Sequence, residues 1–231
     1  MIRCQRIYVR IFSAMIERKL VLASASPRRR ELLGLFGLPF TCQSADIDES
    51  ISDDLNPLEY VQRLAKEKNE TVQADTLVLS ADTIVAYEGG VLGKPANASE
   101  AFTMLSAMRG KTHQVYTALY LRGNGFVQAE CCETRVLMRP YIDEEIKAYI
   151  ASGDYQDKAG GYAIQHKGFR PVESVAGCYA NVMGLPLCHL LCLLRQAGLQ
   201  IDADIPALCQ RHLEIQCEVF PGILARCEAD D

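Results

Sequence analysis

Hydrophobic and polar positions along the chain predict strands and helices that follow one another in turn. A short apolar run, 20–25, indicates a strand, and the next segment, 27–36, carries its leucines at helical spacing. Residues 76–95 predict an apolar strand, a polar interruption and a second apolar run. Residues 113–138 predict two long strands joined at Gly123-Asn124-Gly125, a hairpin signal. Further helices are predicted over 56–74, 97–110 and 143–152, and from about Pro186 onwards.

This alternation is typical of a single α/β domain with a mixed sheet and flanking helices. No internal repeat, low-complexity tract or Pro/Ser-rich linker divides the chain, and we expect the domain to cover 19–197. The preceding residues, 1–18, are interpreted as an accessory or artefactual segment. Residues 198–231 are interpreted as a C-terminal extension, whose weak periodicity predicts a loosely packed tail.

The charge balance narrows the classes of ligand. The 231 residues carry 24 basic and 29 acidic side chains, and this net charge of −5 argues against a general nucleic-acid-binding protein. A small anionic ligand remains compatible, because a few cations can dominate one pocket. Ten cysteines stand at scattered spacings without a CxxC pair, so we expect reduced thiols in a cytoplasmic protein. The most apolar stretch, 182–194, is too short to span a bilayer, so no membrane partner is expected.

The segment LVLASASPRRRELL places cations where a helix disfavours them. Ser26 is suited to be the N-cap and Pro27 the first helical residue, so Arg28 and Arg29 fall in the first turn. The helix dipole is positive there, and each cation costs about 0.3–1 kcal/mol. An anion held by backbone N–H groups, serine hydroxyls and guanidinium groups would explain the placement, and a basic surface turn is the alternative. Because successive helical residues are about 100° apart, Arg30 is expected to face solvent.

Acidic residues supply a second candidate site. Asp82 lies within an apolar strand, where a carboxylate is costly unless it is paired, hydrogen-bonded or bound to metal. A strand-end aspartate satisfied by backbone donors is the alternative. The cluster of Asp46, Asp48 and Glu49 is typical of a solvated loop, but together with Asp82 it could supply the hard oxygen ligands that Mg²⁺ prefers.

The segment DKAGGYAIQ, 157–165, is a third candidate for ligand binding. Its glycines permit close backbone approach, Lys158 offers a charge, and the Gln165 amide could read the edge of a base. Lys68 and Lys94 are further cations, although a lysine on a helix, such as Lys68, is usually solvated. The sequence contains no serine-hydrolase elbow, HExxH pair or P-loop, and its four histidines are interpreted as structural or exposed.

These motifs, in this order and at this spacing, resemble the Maf family of nucleoside triphosphate pyrophosphatases over residues 19–194. They are LASASPRRRELL, YVQRLAKEKN, VLSADTIVA, LGKP, DKAGGYAIQ and NVMGLPL. The resemblance implies an α/β fold like that of the inosine triphosphatase-like (Maf/Ham1) proteins, with a cleft that cuts a nucleotide between its α- and β-phosphates. The ADT at 81–83 and the YAIQ at 162–165 resemble the members that hydrolyse dTTP and UTP in a house-cleaning role.

The resemblance also implies roles for individual residues. Asp82 is the expected proton acceptor, and Glu49 and Lys94 are expected to assist catalysis. The chemistry of the residues themselves predicts that the carboxylates of Asp82 and Glu49 hold Mg²⁺ or Mn²⁺, and two roles stay open for Asp82, as a direct base or as a metal ligand only. The substrate-selecting positions are Arg28, Thr83 and Gln165. The other substrate-binding positions are Ser24, Arg29, Lys68 and Lys158.

The chain also departs from the family's usual pattern, DKAGAYGIQG. It has Gly161, Ala163 and His166 at positions that differ, and Ala163 or His166 would be strained if the family's glycines had positive φ. Two other functions stay open: a nucleotide-binding regulator of septum formation without turnover, and a pyrophosphatase acting on 7-methyl-GTP. The expected partner is a small nucleotide rather than a nucleic-acid polymer, and a homodimer stays open.

Overall fold

A mixed seven-stranded sheet lies at the centre of the computed structural model, which describes residues 20–49, 55–123 and 125–229. The predicted accessory segment, 1–18, and Asn124 of the predicted turn lie outside the described residues. The strands are β1 (Leu20–Leu22), β2 (Phe40–Cys42), β3 (Leu77–Tyr87), β4 (Gly90–Leu92), β5 (Thr112–Gly123), β6 (Phe126–Met138) and β7 (Val172–Ala176). The helices are α1 (Pro27–Gly34), α2 (Pro57–Glu70), α3 (Ala98–Met108), α4 (Asp143–Ala151), α5 (Tyr179–Val182), α6 (Leu187–Gln196), α7 (Ile205–Leu213) and α8 (Phe220–Ala229), with a 3₁₀ turn at Ala159–Gly161.

The strands run in the order β2-β1-β3-β5-β6-β7, and β4 pairs with β3. β1 is parallel to both β2 and β3, whereas the other pairings are antiparallel. β5 and β6 pair from Thr112 opposite Leu137 to Gly123 opposite Phe126, which confirms the predicted hairpin. The prediction of a single α/β domain with a mixed sheet and flanking helices is confirmed.

Helices cover both faces of the sheet. On one face, Val61 and Leu64 of α2 pack against Ile84 of β3, and on the other face α1 and α6 pack against Leu79 and Leu121. β3 is therefore buried on both sides, which explains its long apolar sequence. The predicted polar interruption does not divide it.

Polar side chains remain inside β3 because each of them has a partner. Ser80 Oγ donates to the Ala65 carbonyl at 2.6 Å, and Asp82 and Thr83 are hydrogen-bonded to other side chains. The expectation of two separate apolar runs is therefore wrong, and a single strand of 11 residues is formed.

The helix starts follow the predicted capping chemistry. Ser26 is the N-cap of α1 and its side chain accepts from the Arg29 N–H at 3.4 Å. Asn97 caps α3 in the same way, accepting from the Glu100 N–H at 3.0 Å, and Asn56 forms a capping box at the start of α2. The predicted register of α1 is confirmed, and with it the exposed position of Arg30.

The C-terminal helices pack against the main core, so the expectation of a loosely packed tail is wrong. Ile201, Ile205 and Cys209 are buried in the same cluster as the leucines of α6. Cys192 of α6 and Cys227 of α8 form a disulfide, so the expectation of reduced thiols is wrong for this pair, while seven other described cysteines are free. Within the ranges that the structure describes, no helix is long and apolar enough to cross a membrane.

Candidate active site

A cleft opens along one edge of β3, where this strand has no partner strand among the described residues. β1 pairs with β3 as far as Leu79, and β4 pairs with it from Val85 onwards, so residues 80–84 border the cleft. Successive side chains of a strand point to opposite faces, so Asp82 and Thr83 reach the cleft from different sides. The cleft has a volume of about 720 Å³, which is within the range of sites that bind small molecules.

Lys68 joins two carboxylates in this cleft. Its Nζ is hydrogen-bonded to Asp82 Oδ1 and lies 2.7 Å from Glu49 Oε1, and both Lys68 and Asp82 are buried. Glu49 Oε2 lies 3.0 Å from Nζ of the exposed Lys94. The Tyr60 hydroxyl donates to the Glu49 carbonyl at 2.8 Å and holds the acidic loop against α2. The alternative of a solvated Lys68 is therefore wrong, and so is that of a strand-end Asp82, because the two side chains meet between α2 and the middle of β3.

The charges around Glu49 determine its ionisation and its fitness for a metal ion. Burial alone would raise the pKa of Glu49, but Lys68 and Lys94 outweigh burial and lower this pKa to about 2. In the described part of the chain, no three His, Cys, Asp or Glu side chains are close enough to hold a metal ion together. The carboxylates of Glu49 and Asp82 nonetheless fit Mg²⁺ or Mn²⁺, since such ions usually bind one or two carboxylates together with substrate phosphates. The neighbouring Asp46 and Asp48 are exposed, as expected for a solvated loop.

Arg29 is fixed by protein groups on three sides. Its Nε donates to the Gly184 carbonyl at 2.9 Å, its Nη2 to Thr83 Oγ1 at 3.0 Å, and its Nη1 to Ser24 Oγ at 3.4 Å. Burial lowers the pKa of Arg29, and the nearby charge of Asp82 opposes this effect. Arg29 therefore connects the entrance of α1 to β3 and contributes positive charge to the cleft from a fixed position.

Arg28 and Lys158 share one carboxylate. Arg28 Nη1 lies 3.0 Å from Asp157 Oδ2, and Lys158 Nζ lies 2.6 Å from Asp157 Oδ1 and 3.0 Å from Asp154 Oδ1. Burial would raise the pKa of Asp157, but Lys158 and Arg28 outweigh burial and lower it. Lys158 is buried and faces two carboxylates, so its main effect is to hold Asp157, which in turn orients Arg28 at the mouth of α1.

The segment 157–165 forms a further wall of the cleft. Gly160 and Gly161 have φ of 69° and 71°, and a Cβ at Gly160 would lie 3.1 Å from a Val85 methyl, so both positions favour glycine. Ala163 and His166 are not among the non-glycine residues with positive φ, so the strain considered for them does not arise. Gln165 lines the cleft with an exposed side chain.

The structure brings every predicted site residue to this one cleft. They are Ser24, Arg28, Arg29, Glu49, Lys68, Asp82, Thr83, Lys94, Lys158 and Gln165. Sequence reasoning missed Asp157, Gly184 and Thr117, which hold these residues in place. The acid beside Lys158 was a usable signal for Asp157. No local signal identifies Thr117, because its contact with Thr83 depends on the pairing of β5 with β3.

The chain is similar in sequence to one known protein family and to curated proteins. A family profile described as "Maf-like protein" matches residues 19–197. Among solved structures, the Staphylococcus aureus Ham1 protein is similar with a TM-score of 0.39 and 12% identity, over 53% of this chain and 72% of that chain. Two curated relatives are each named dTTP/UTP pyrophosphatase. The protein of Thermomicrobium roseum is 45% identical over 88% of this chain and 94% of its own length, and that of Moorella thermoacetica is 46% identical over 79% and 97%.

Proposed function

The chain belongs to the Maf family, and on this basis we propose that it is a nucleoside triphosphate pyrophosphatase that hydrolyses dTTP and UTP to the monophosphate and pyrophosphate. The names of its relatives support the activity and the substrates. The observation that carries the proposal is the cleft, where the cations of α1 and Lys94 stand beside a buried carboxylate held by Lys68. Cations can bind a triphosphate, and the carboxylate can act on water.

The chemistry of the cleft supports a division of labour among its residues. Asp82 orients the attacking water and accepts its proton, because it is the buried carboxylate on the open edge of β3. Arg28 and Lys94 stabilise the negative charge that develops on the leaving pyrophosphate. Lys68 keeps the carboxylates of Asp82 and Glu49 together. Arg29 donates hydrogen bonds to Ser24 and Thr83, and so holds both side chains close to the N-terminus of α1.

We also propose that the reaction requires a divalent cation as cofactor. Asp82 and Glu49 would hold it together with oxygen atoms of the substrate phosphates. When bound, Mg²⁺ or Mn²⁺ neutralises phosphate charge and polarises the α-phosphorus. The pair of carboxylates that meets at Lys68 supports this assignment. Activity should therefore be abolished by EDTA and restored by adding either metal.

Gln165 and Thr83 are the proposed selectors of the base. Uracil and thymine offer an O4 acceptor, an N3–H donor and an O2 acceptor, and a glutamine amide matches two of these groups at once. Both side chains line the cleft. Leaving one polar group of a buried base unpaired costs about 1–3 kcal/mol, which is enough for roughly 10- to 100-fold discrimination.

A substrate panel tests the function. The wild-type protein with Mg²⁺ should release pyrophosphate from UTP and dTTP with a higher kcat/KM than from CTP, GTP or 7-methyl-GTP. Gln165→Leu should reduce the UTP-to-CTP ratio of kcat/KM at least about 10-fold while leaving triphosphate binding intact. A protein that binds these nucleotides without releasing pyrophosphate would instead be a nucleotide-binding regulator. Preference for 7-methyl-GTP would move the activity to another substrate.

Location and assembly complete the proposal. We place the protein in the cytoplasm, where nucleoside triphosphates are abundant. The seven free cysteines among the described residues support this location, whereas the disulfide between Cys192 and Cys227 does not. A homodimer stays a prediction for its assembly state. Light scattering of the purified protein decides between monomer and dimer.

A further inference from the structure

A chain of hydrogen bonds runs from the cleft into the protein interior beneath Thr83. Arg29 Nη2 lies 3.0 Å from Thr83 Oγ1, Thr83 Oγ1 lies 2.9 Å from Thr117 Oγ1, and Thr117 Oγ1 donates to the Asn181 carbonyl at 2.9 Å. Thr117 and Asn181 are fully buried, whereas Thr83 lines the cleft. The chain therefore ties a side chain of the cleft to groups that water does not reach.

The two ends of this chain fix the direction of every hydrogen bond in it. A guanidinium can only donate and a carbonyl can only accept, whereas a hydroxyl has one hydrogen to donate. Thr117 must give its hydrogen to the Asn181 carbonyl, so it accepts from Thr83. Thr83 in turn gives its hydrogen to Thr117 and accepts from Arg29. Its hydroxyl has no hydrogen left for a ligand, and one lone pair remains for the cleft.

The end of the chain at Asn181 is anchored. Asn181 Nδ2 donates to the Val115 carbonyl at 2.9 Å and to Thr134 Oγ1 at 3.0 Å. The Asn181 carbonyl also accepts from the Gly184 N–H at 2.9 Å, which holds the loop beside Thr83. A Cβ at Gly184 would lie only 3.3 Å from Thr83 Oγ1, so this loop also confines the hydroxyl. Rotation of the Thr83 hydroxyl would break its hydrogen bond to Thr117.

We infer that Thr117 is a positioning residue that makes Thr83 a hydrogen-bond acceptor toward the substrate base, and thereby selects for bases with an N3–H. The inference rests on the proposed pyrophosphatase function and adds a physical origin for its base preference. Uracil and thymine donate their N3–H to the free lone pair of Thr83. Cytosine has a bare N3 lone pair, which would face the Thr83 lone pair with no hydrogen between them. Selection thus comes from the orientation of one hydroxyl, which is set by a residue outside the cleft lining.

The first test is a pair of substitutions at Thr117. Thr117→Val removes the internal acceptor, so the Thr83 hydroxyl becomes free to donate to the N3 of cytosine. The kcat/KM for CTP should rise and the UTP-to-CTP ratio should fall about 10-fold or more, with kcat/KM for UTP changed less than about 3-fold. Thr117→Ser keeps the hydroxyl and should retain the wild-type ratio. A cooperatively melting Thr117→Val protein with an unchanged ratio would overturn the inference.

A second variant keeps the test decisive if Thr117→Val does not fold. Thr83→Val removes the lone pair itself together with a partner of Arg29, so kcat/KM should fall at least about 10-fold more for UTP than for CTP. An equal loss on both substrates would show that Thr83 does not read N3. These outcomes are distinct from failure of the proposed function, which would appear as absence of pyrophosphate release by the wild type. A wild type that releases pyrophosphate equally well from UTP and CTP would overturn the inference and the proposed base preference, but not the pyrophosphatase activity.

Discussion

Replacing Asp82 with asparagine separates a catalytic role from a structural one. Asp82 lies in the middle of β3, its side chain is 8% exposed, and it is hydrogen-bonded to Lys68. Asp82→Asn keeps the size of the side chain and an oxygen that can accept from Lys68, but it removes the group that accepts a proton from water. The substitution therefore changes the chemistry of the site more than its packing.

The structure sets the expected magnitudes. In Asp82→Asn, Lys68 keeps Glu49 at 2.7 Å, so its charge remains paired, and the free energy of unfolding should fall by only about 1–3 kcal/mol. The turnover number should fall at least about 10²-fold, the lower range for general acid–base catalysis. Lys68→Met is the matched control because it removes the partner of the buried carboxylate. It should lower the free energy of unfolding by about 3–5 kcal/mol, the usual cost of an uncompensated buried charge.

Three measurements on each variant decide the matter. Pyrophosphate release from UTP gives the turnover number, calorimetric titration with UTP gives nucleotide binding, and urea unfolding gives stability. Asp82→Asn should bind UTP within a few fold of wild type, unfold cooperatively and turn over slowly. Turnover within about 3-fold of wild type in that variant would refute the assignment of Asp82 as the proton acceptor. A larger stability loss in Asp82→Asn than in Lys68→Met would refute the argument about charge compensation.

Three further predictions follow from other parts of the structure. Arg28→Ala should raise KM for UTP or lower kcat by about 10-fold. Arg30 is exposed, so Arg30→Ala should stay within about 2-fold of wild type. Equal large losses in the two variants would contradict the assignment of these arginines to different faces of α1. Burial lowers the pKa of His113 to about 4, so on acidification the unfolded chain takes up a proton at this residue before the folded protein does. Urea unfolding should therefore show that up to about 3 kcal/mol of stability is lost as pH falls from 6.5 to 4. An equally steep dependence on pH in His113→Asn would contradict this. Without reductant, Cys227→Ser should lower the free energy of unfolding by about 3–4 kcal/mol through loss of the bond to Cys192, whereas with reductant the variant and wild type should melt together.

Local chemistry made much of the fold predictable. The register of α1 follows from Ser26 and Pro27, whose preferences act within a single turn of helix. The β5–β6 hairpin follows from its glycines and from the two long strand-like segments beside them. These signals lie within a few residues of the structure that they specify, so no tertiary information was needed.

Long-range packing explains what the sequence did not predict. The polar positions of β3 suggested an interruption, yet α2, which packs on that face of the sheet, supplies partners for Ser80 and Asp82, so the strand continues. The C-terminal helices were expected to pack loosely, yet Ile205 and Cys209 of α7 lie in the same core cluster as the leucines of α6. Such partners are set by the fold and not by the nearby sequence.

The candidate site shows the same difference between residues with a local sequence signal and residues whose role depends on long-range packing. Arg28 and Asp82 were predicted because an arginine in a first helical turn and a carboxylate in an apolar strand conflict with a purely structural role. Other residues of the cleft, such as Ser24 and Thr83, were predicted only from the resemblance to the Maf family. The residues that support them carry no such conflict. A threonine in a strand is ordinary, so Thr117 becomes informative only when β5 lies beside β3.

Hydrolysis of UTP in H₂¹⁸O tests the central claim most directly, because it reports both the bond that breaks and the phosphorus that water attacks. With Mg²⁺ and the wild-type protein, mass spectrometry should find UMP and pyrophosphate as the products, with one ¹⁸O atom in UMP and none in pyrophosphate. This result would place the attacking water at the α-phosphorus, within reach of a base such as Asp82. Label in pyrophosphate, or UDP and phosphate as products, would contradict the account.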